Sequence, residues 1–213
     1  MPDTYRTHMT AVALGYIASA AVYAWLPVVS VTPGQAIPFG RPLLAFLLPT
    51  AALLVSVMLG SLWRRDPIRS RSASEEVTYQ AITLRIVLFI LAIHAAVVSG
   101  LLSVAGVIPP IASGLARGVP VLLGIALISV GNLLPRLKPN LIIGIRTAAT
   151  LADPGMWMRT NRMAGYVSVG LGIVLVTTGA LMAPGRAVAP VVGGAGLAAV
   201  TLLVVYTSTR SRV

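Results

Sequence analysis

Apolar and polar positions along this chain do not alternate at a strand or surface-helix period; they fall into long blocks. Six nearly uninterrupted apolar runs stand out, at about His8–Leu26, Pro42–Trp63, Ala81–Ala105, Ala116–Leu134, Met163–Met182 and Ala189–Thr207. Each is close to the roughly 20 residues a helix needs to cross the hydrocarbon core. Open β-structure would leave backbone donors and acceptors unpaired in lipid, and a barrel would show short alternating segments of about ten residues. The pattern therefore predicts an all-α, polytopic transmembrane helical bundle with about six spans. The first run is longer than a secretory signal core and ends in Tyr23, Trp25 and Pro27, so it reads as a retained span.

Composition agrees with this reading. The 213 residues are 57% hydrophobic and 10% charged, with a mean hydropathy of +0.91. An ordinary soluble domain is about a quarter charged. The net charge of +11 would raise nucleic acid in a soluble protein. Here the cations lie in short loops between apolar runs, where they set topology and meet anionic headgroups. The partner is read as the lipid bilayer, with no direct nucleic acid. With both termini in the cytoplasm, thirteen of the sixteen Lys and Arg residues fall inside; only Arg41, Arg117 and Arg186 fall outside. The positive-inside rule selects that orientation. Trp25, Trp63, Tyr79 and Tyr206 lie near expected helix ends and read as interface anchors.

Punctuation subdivides the chain. Residues 1–80 read as an N-terminal two-helix region with a cytoplasmic linker, Arg64–Gln80. Residues 81–213 read as a four-helix region containing a loop, 131–165. Pro49 and Pro120 fall inside spans and can kink them. Ala95, Ser99 and Ser103, and less clearly Ala189, Gly193 and Leu197, form small-residue stripes that suit close helix packing, within one chain or in a homo-oligomer.

Candidate chemistry is sparse. Cysteine is absent, and the two histidines, His8 and His94, are far apart in sequence, so no metal site is expected. No acid lies within a span, and neither a phosphate loop nor a nucleophile elbow occurs. No enzyme activity and no cofactor are expected. His94 falls near the middle of the third span and is an intramembrane candidate: a proton relay, or a neutral imidazole bonded to a backbone carbonyl. Arg85, on the same run, can snorkel to the inner surface.

The segment Gly131–Gly165 carries most of the information. Pro135 and Pro139 stop the fourth helix. Leu141, Ile142 and Ile143 suggest a loop that dips back against the membrane. Asp153-Pro154 is a helix start, with Thr150 as an alternative cap. The alternation of Met156, Trp157 and Met163 with Arg159, Asn161 and Arg162 suggests a short amphipathic interfacial helix leading into the fifth span. Asn132 and Asn140 read as organisers that bond across helices. Arg136, Lys138, Arg146, Arg159 and Arg162 would crowd one face that suits an anionic partner; Arg146 suits either ligand contact or a tie to Asp153 or to helix carbonyl ends.

This segment resembles the SdpI family of bacterial membrane proteins. The matching positions are Gly131-Asn132, Pro135, Lys138-Pro139-Asn140, Gly144-Ile145-Arg146-Thr147, Thr150-Leu151, Trp157, Thr160, Arg162 and Ala164-Gly165. Departures are Ala148 and Ala149 where an aromatic is frequent, Gly155 and Met156 where an acid is usual, and Asn161 where His is frequent. The resemblance implies six spans, cytoplasmic termini and residence in the bacterial plasma membrane. It further implies a binding or immunity protein that gives tolerance to a membrane-active peptide toxin and signals through its cytoplasmic face to a regulatory protein. On that implication Asn132, Pro135, Lys138, Pro139, Asn140, Gly144, Arg146, Thr147, Thr150, Trp157, Thr160, Arg162 and Gly165 are the expected ligand or partner site. A small transporter or channel and a structural subunit of a membrane complex are the alternatives the residues leave open.

Overall fold

The computed structural model describes residues 3–26, 30–32, 35–36, 40–68, 72–109 and 112–181, and among these it is all-helical apart from one small strand pair. Helix α1 spans Asp3–Val22 and runs on into a 3-10 turn, Tyr23–Trp25. A two-stranded antiparallel pair follows, β1 Ser30–Thr32 and β2 Gln35–Ala36. Then come α2 Gly40–Arg65, α3 Ala73–Val104 and α4 Ala112–Gly131. A 3-10 turn at Leu134–Arg136, a short α5 Ala148–Ala152 and a long α6 Pro154–Leu181 complete the described chain. The sixth apolar run, Tyr206 and the Ala189–Leu197 stripe lie outside the described residues.

Among the described residues, four helices are long and apolar enough to cross a membrane: Gly40–Arg65, Ala73–Ser103, Gly118–Arg136 and Pro154–Leu181. Only 17% to 33% of the most apolar window of each is buried inside the protein. Leu47, Leu54, Ile125, Ile173 and Leu181 are all exposed. Water would penalise so much exposed apolar surface, whereas hydrocarbon solvates it. Helix α1 is as long as α4 but opens with polar residues, which lowers its mean apolarity. With 32 residues, α3 is roughly 48 Å long at 1.5 Å per residue, longer than the hydrocarbon core. Its first turn carries Glu75 and Glu76.

Helices α1, α2 and α3 pack mutually, and α3 also packs on α4. At one end of the three-helix group Leu26, Ala45, Val98 and Leu102 meet; Val12, Ala52 and Val87 meet in the middle; Leu59, Trp63 and Tyr79 meet at the other end. Trp63 and Tyr79 are 2% and 0% exposed, with stacked rings 4.1 Å apart, and the Tyr79 hydroxyl donates to the Leu59 carbonyl at 2.9 Å. They are core residues, which corrects their reading as headgroup anchors; Trp25 is exposed. Nor is Arg64–Gln80 wholly a linker. Helix α2 continues to Arg65 and α3 starts at Ala73, burying Glu75 and Tyr79. Arg85 does not simply snorkel. Its Nε donates to Ser129 Oγ at 2.6 Å, joining α3 to α4, and a second nitrogen donates to the Ala81 carbonyl at 3.3 Å.

Among the described helices the closest pair is α4 with α6, and glycine is what permits it. A Cβ on Gly124 would lie 2.5 Å from the Gly172 carbonyl oxygen, and one on Gly172 would lie 2.6 Å from that of Gly124. Seven residues away on each antiparallel helix, a Cβ on Gly165 would lie 2.7 Å from the Gly131 carbonyl oxygen. No side chain fits at either crossing, so the backbones touch. By contrast, among the described residues Ala95 of the expected stripe is exposed and Ser103 donates to the Pro109 carbonyl.

Gly172→Ala should therefore destabilise the protein by about 1–3 kcal/mol, the usual cost of overpacking. Gly170→Ala, on the same helix with nothing within 4 Å of the added carbon, should leave thermal stability in detergent unchanged or slightly raised. Equal melting shifts for the two variants would disprove the close approach.

Candidate functional site

The segment between α4 and α6 must cross from one helix to its antiparallel neighbour while satisfying every backbone group it buries. Pro135 shapes the first turn, and Leu133 and Leu137 pack against Ile82 of α3. The turn also rests on α6, because a Cβ on Gly165 would lie 3.1 Å from the Pro135 ring.

Asn140, fully buried, then folds the chain. Its Nδ2 donates to the Lys138 carbonyl at 2.9 Å, and its Oδ1 accepts from the Ile142 and Ile143 amides at 2.9 and 2.8 Å. Short polar side chains favour such local bonds over regular structure. Asn140 thus organises its own loop rather than bonding across helices as expected; Asn132 is exposed. The fold-back presses Ile142 and Ile143 onto the Leu59–Trp63–Tyr79 cluster, while Leu141 is exposed. Two of the three residues expected to dip against the membrane thus pack on the protein's own core instead.

Two side chains outside the expected set complete the loop. Asp66, 7% exposed just past the end of α2, accepts the Ile68 amide at 3.0 Å and the Leu141 amide at 2.7 Å. It is a carboxylate tie between the N-terminal helices and the motif. Asn161, fully buried on α6, accepts the Ile145 amide at 2.9 Å and donates to the Trp157 carbonyl at 3.1 Å. The chain reaches Asn161 because Gly144 has φ +119°, and a Cβ there would lie 2.6 Å from Asn161 Oδ1. Only glycine adopts that backbone without strain and leaves that space. The sequence signal for Asn161 is its place beside Trp157, Thr160 and Ala164 at helical spacing on one buried face of α6. For Asp66 it is an acid at a helix end between Arg65 and Pro67.

Downstream, Thr147 and Thr150 form a capping box: Thr147 Oγ1 accepts the Thr150 amide at 3.1 Å and Thr150 Oγ1 accepts the Thr147 amide at 2.8 Å. Thr150 Oγ1 also donates to the Ile145 carbonyl at 2.9 Å. Asp153 starts α6, its Oδ1 accepting the Gly155 amide at 2.7 Å, as expected for Asp-Pro. Thr150 caps nothing at α6; it serves α5. No separate interfacial helix exists, because α6 runs unbroken from Pro154 through the span. Trp157, fully buried, donates from its indole nitrogen to the Leu137 carbonyl at 2.8 Å.

The motif therefore divides by direction. Asn140, Thr150, Trp157, Thr160 and Gly165 are buried, and Pro135, Pro139 and Gly144 partly so. Asn132, Lys138, Arg146, Thr147 and Arg162 are exposed, as are Arg136 and Arg159. Arg146 donates to the Leu141 carbonyl and does not meet Asp153. Asp153 instead faces Arg159 at 3.8 Å, with both side chains more than half exposed. Such a pair contributes little to stability. Lys138 reaches Ser72 Oγ at 3.5 Å. The buried half of the motif is occupied in holding the loop, with the Thr160 hydroxyl unpartnered among the described residues. The exposed half offers cations to anionic chemistry outside. His94 stands apart, against α1.

Asn161→Ala would strand the Ile145 amide, and an unpaired buried donor costs about 1–3 kcal/mol. The expected result is a lower melting temperature and faster proteolysis within residues 138–147. Unchanged proteolysis would show that Asn161 does not hold the loop.

No curated protein and no solved structure matches the chain. A family model does, over residues 136–208, which starts inside this site and runs beyond the described residues. It is the family the motif resembles: residues 136–208, about a third of the chain, match the model of the SdpI/YfhL protein family, and this match and the four apolar helices together support a membrane protein.

Proposed function

We propose that the protein is a multi-pass protein of the bacterial plasma membrane, with six spans and cytoplasmic termini, that binds a membrane-active peptide and gives the cell tolerance to it. In this reading it is not an enzyme. Its 131–165 segment lies on the cytoplasmic side and presents Arg146 and its neighbouring cations to an acidic regulatory protein or to lipid headgroups. The observation that carries the proposal is the division of the motif. The residues shared with the SdpI family include a buried set already committed to folding the loop, and an exposed cationic set in which Arg146 makes one loop contact. A structural role accounts for the first set; contact with a partner accounts for the second.

The loop is also positioned to report on the helices. Ile142 and Ile143 rest on Trp63 and Tyr79, and Leu141 is bonded to Asp66. A peptide lodged against α2 or α3 would act on the loop through those contacts, provided that it binds one arrangement of the helices better than another.

Two measurements test this. The chain has no cysteine, so single cysteines can be introduced without background. In intact cells a membrane-impermeant maleimide should label Val107→Cys and spare Ser74→Cys; the reverse pattern would invert the proposed topology. Cells expressing the wild type should then survive membrane-active peptides at several-fold higher concentration than cells without it. Arg146→Ala should insert normally, lose less than about 1 kcal/mol of stability as an exposed substitution, and lose that protection. Equal sensitivity of cells with and without the protein across the peptide panel would overturn the immunity reading.

A further inference from the structure

Away from the motif, α1 and α3 border a cavity of about 250 Å3. Ala18, Ser19, Leu91, His94, Ser99 and Leu102 are among its lining residues, and among the described residues no charged side chain lines it. Ala18 and Ala95 are exposed, so among the described residues the cavity opens on the outer surface of the bundle. His94 lies nine residues beyond Arg85, roughly 14 Å along the helix at 1.5 Å per residue, well inside the apolar stretch.

The hydrogen bonds here determine which imidazole nitrogen carries the proton. Ser19, 1% exposed, donates from Oγ to the Gly15 carbonyl at 2.8 Å. A hydroxyl has a single proton, so in its second bond, 2.8 Å to His94 Nε2, Ser19 must accept. Nε2 therefore bears the hydrogen, and Nδ1 of the neutral ring is a bare acceptor. His94 is 6% exposed, and Nδ1 is buried with no partner among the described residues. Buried acceptors without donors are rare because burial removes water without replacing its hydrogen bond.

We propose that this cavity is a binding site for a small membrane-dissolved molecule with a hydroxyl group on an apolar body, the hydroxyl donating to His94 Nδ1. The apolar walls select the body, and the lone pair selects a donor. The absence of a lining carboxylate disfavours an ammonium ligand, and the lack of a cation disfavours an acid. The site is independent of the peptide reading.

The test uses the full chain, with 15N-labelled imidazoles, in phosphatidylcholine vesicles, titrated with 4-butylphenol and, separately, with its methyl ether, 4-butylanisole. With two histidines in the chain, a His94→Gln sample identifies the His94 signals. Nδ1 should start as an unbonded acceptor with Nε2 protonated. The phenol should shift the Nδ1 signal saturably and the ether should not. Ser99→Leu, which fills the cavity but leaves Ser19 and His94 in place, should keep the resting tautomer and weaken phenol binding at least tenfold. Three results would each overturn the proposal: equal shifts with phenol and ether, undiminished binding in Ser99→Leu, or an Nδ1 already hydrogen-bonded before phenol is added and insensitive to it. The last would mean that water or another part of the chain fills the site.

Discussion

Everything in the motif region depends on how closely the backbones of α4 and α6 approach. Where Gly124 meets Gly172 and Gly131 meets Gly165, the carbonyl of one helix occupies the space a side chain would take on the other. In lipid there is no hydrophobic gain from bringing two apolar helices together, so the pair is held by van der Waals contact that only glycine allows. That contact fixes both ends of the 132–153 connection. A long connection between fixed ends then has to fold within a small space, and side chains supply the partners for its amides. Asn140, Asp66, Asn161 and Thr150 each take one or more of them.

Among the described residues, the helices long and apolar enough to cross a membrane were legible because apolar blocks of that length have few alternatives. Their rotation was not. A helix that is apolar all round carries no amphipathic stripe to say which face meets a neighbour. Trp63 and Tyr79 illustrate the cost. At a helix end either headgroup anchoring or core packing suits an aromatic ring, and only the contact between α2 and α3 decides for the core. The seven-residue glycine spacing is likewise inconspicuous, since Gly124 and Gly172 sit among other glycines and small residues without distinction in sequence.

The candidate site was legible as a set of residues but not as a structure with two sides. Asn140 and Arg146 look equally functional in sequence, yet one is sealed in the loop and the other is exposed. Asp66 is invisible to any reading confined to 131–165, because its partner amide is 75 residues away. The departure at Asn161 is absorbed locally. Its amide accepts from Ile145 and donates to Trp157, and an imidazole in the neutral state also has one donor and one acceptor. That position therefore bears on the loop's anchorage more than on its exposed face. The departures at Ala148 and Ala149 differ in kind. Ala148 is exposed on α5 beside Thr147, so an aromatic there would add to the outer surface without disturbing the capping box.

Helix α3 relates the two halves of the protein. Its first turns carry Tyr79 and Ile82, which touch α2 and the motif; farther along, Arg85 is bonded to α4 and His94 to α1. A helix is stiff over that distance, so a shift of α3 against α1 at His94 would be felt at Tyr79 as tilt or rotation. Coupling of that kind requires an element with two discrete arrangements that both ends bias. The Trp63–Tyr79 stack is the natural place for it. The stack is buried and the Tyr79 hydroxyl is tied to a backbone carbonyl of α2, so small displacements are resisted and a larger one must break a hydrogen bond and a ring contact together. Packed apolar interfaces tend to switch between arrangements rather than deform gradually. Under the proposed function, a peptide acting along α3 would reach the exposed cations through Ile142, Ile143 and the Asp66 tie, with no need to enter the loop itself.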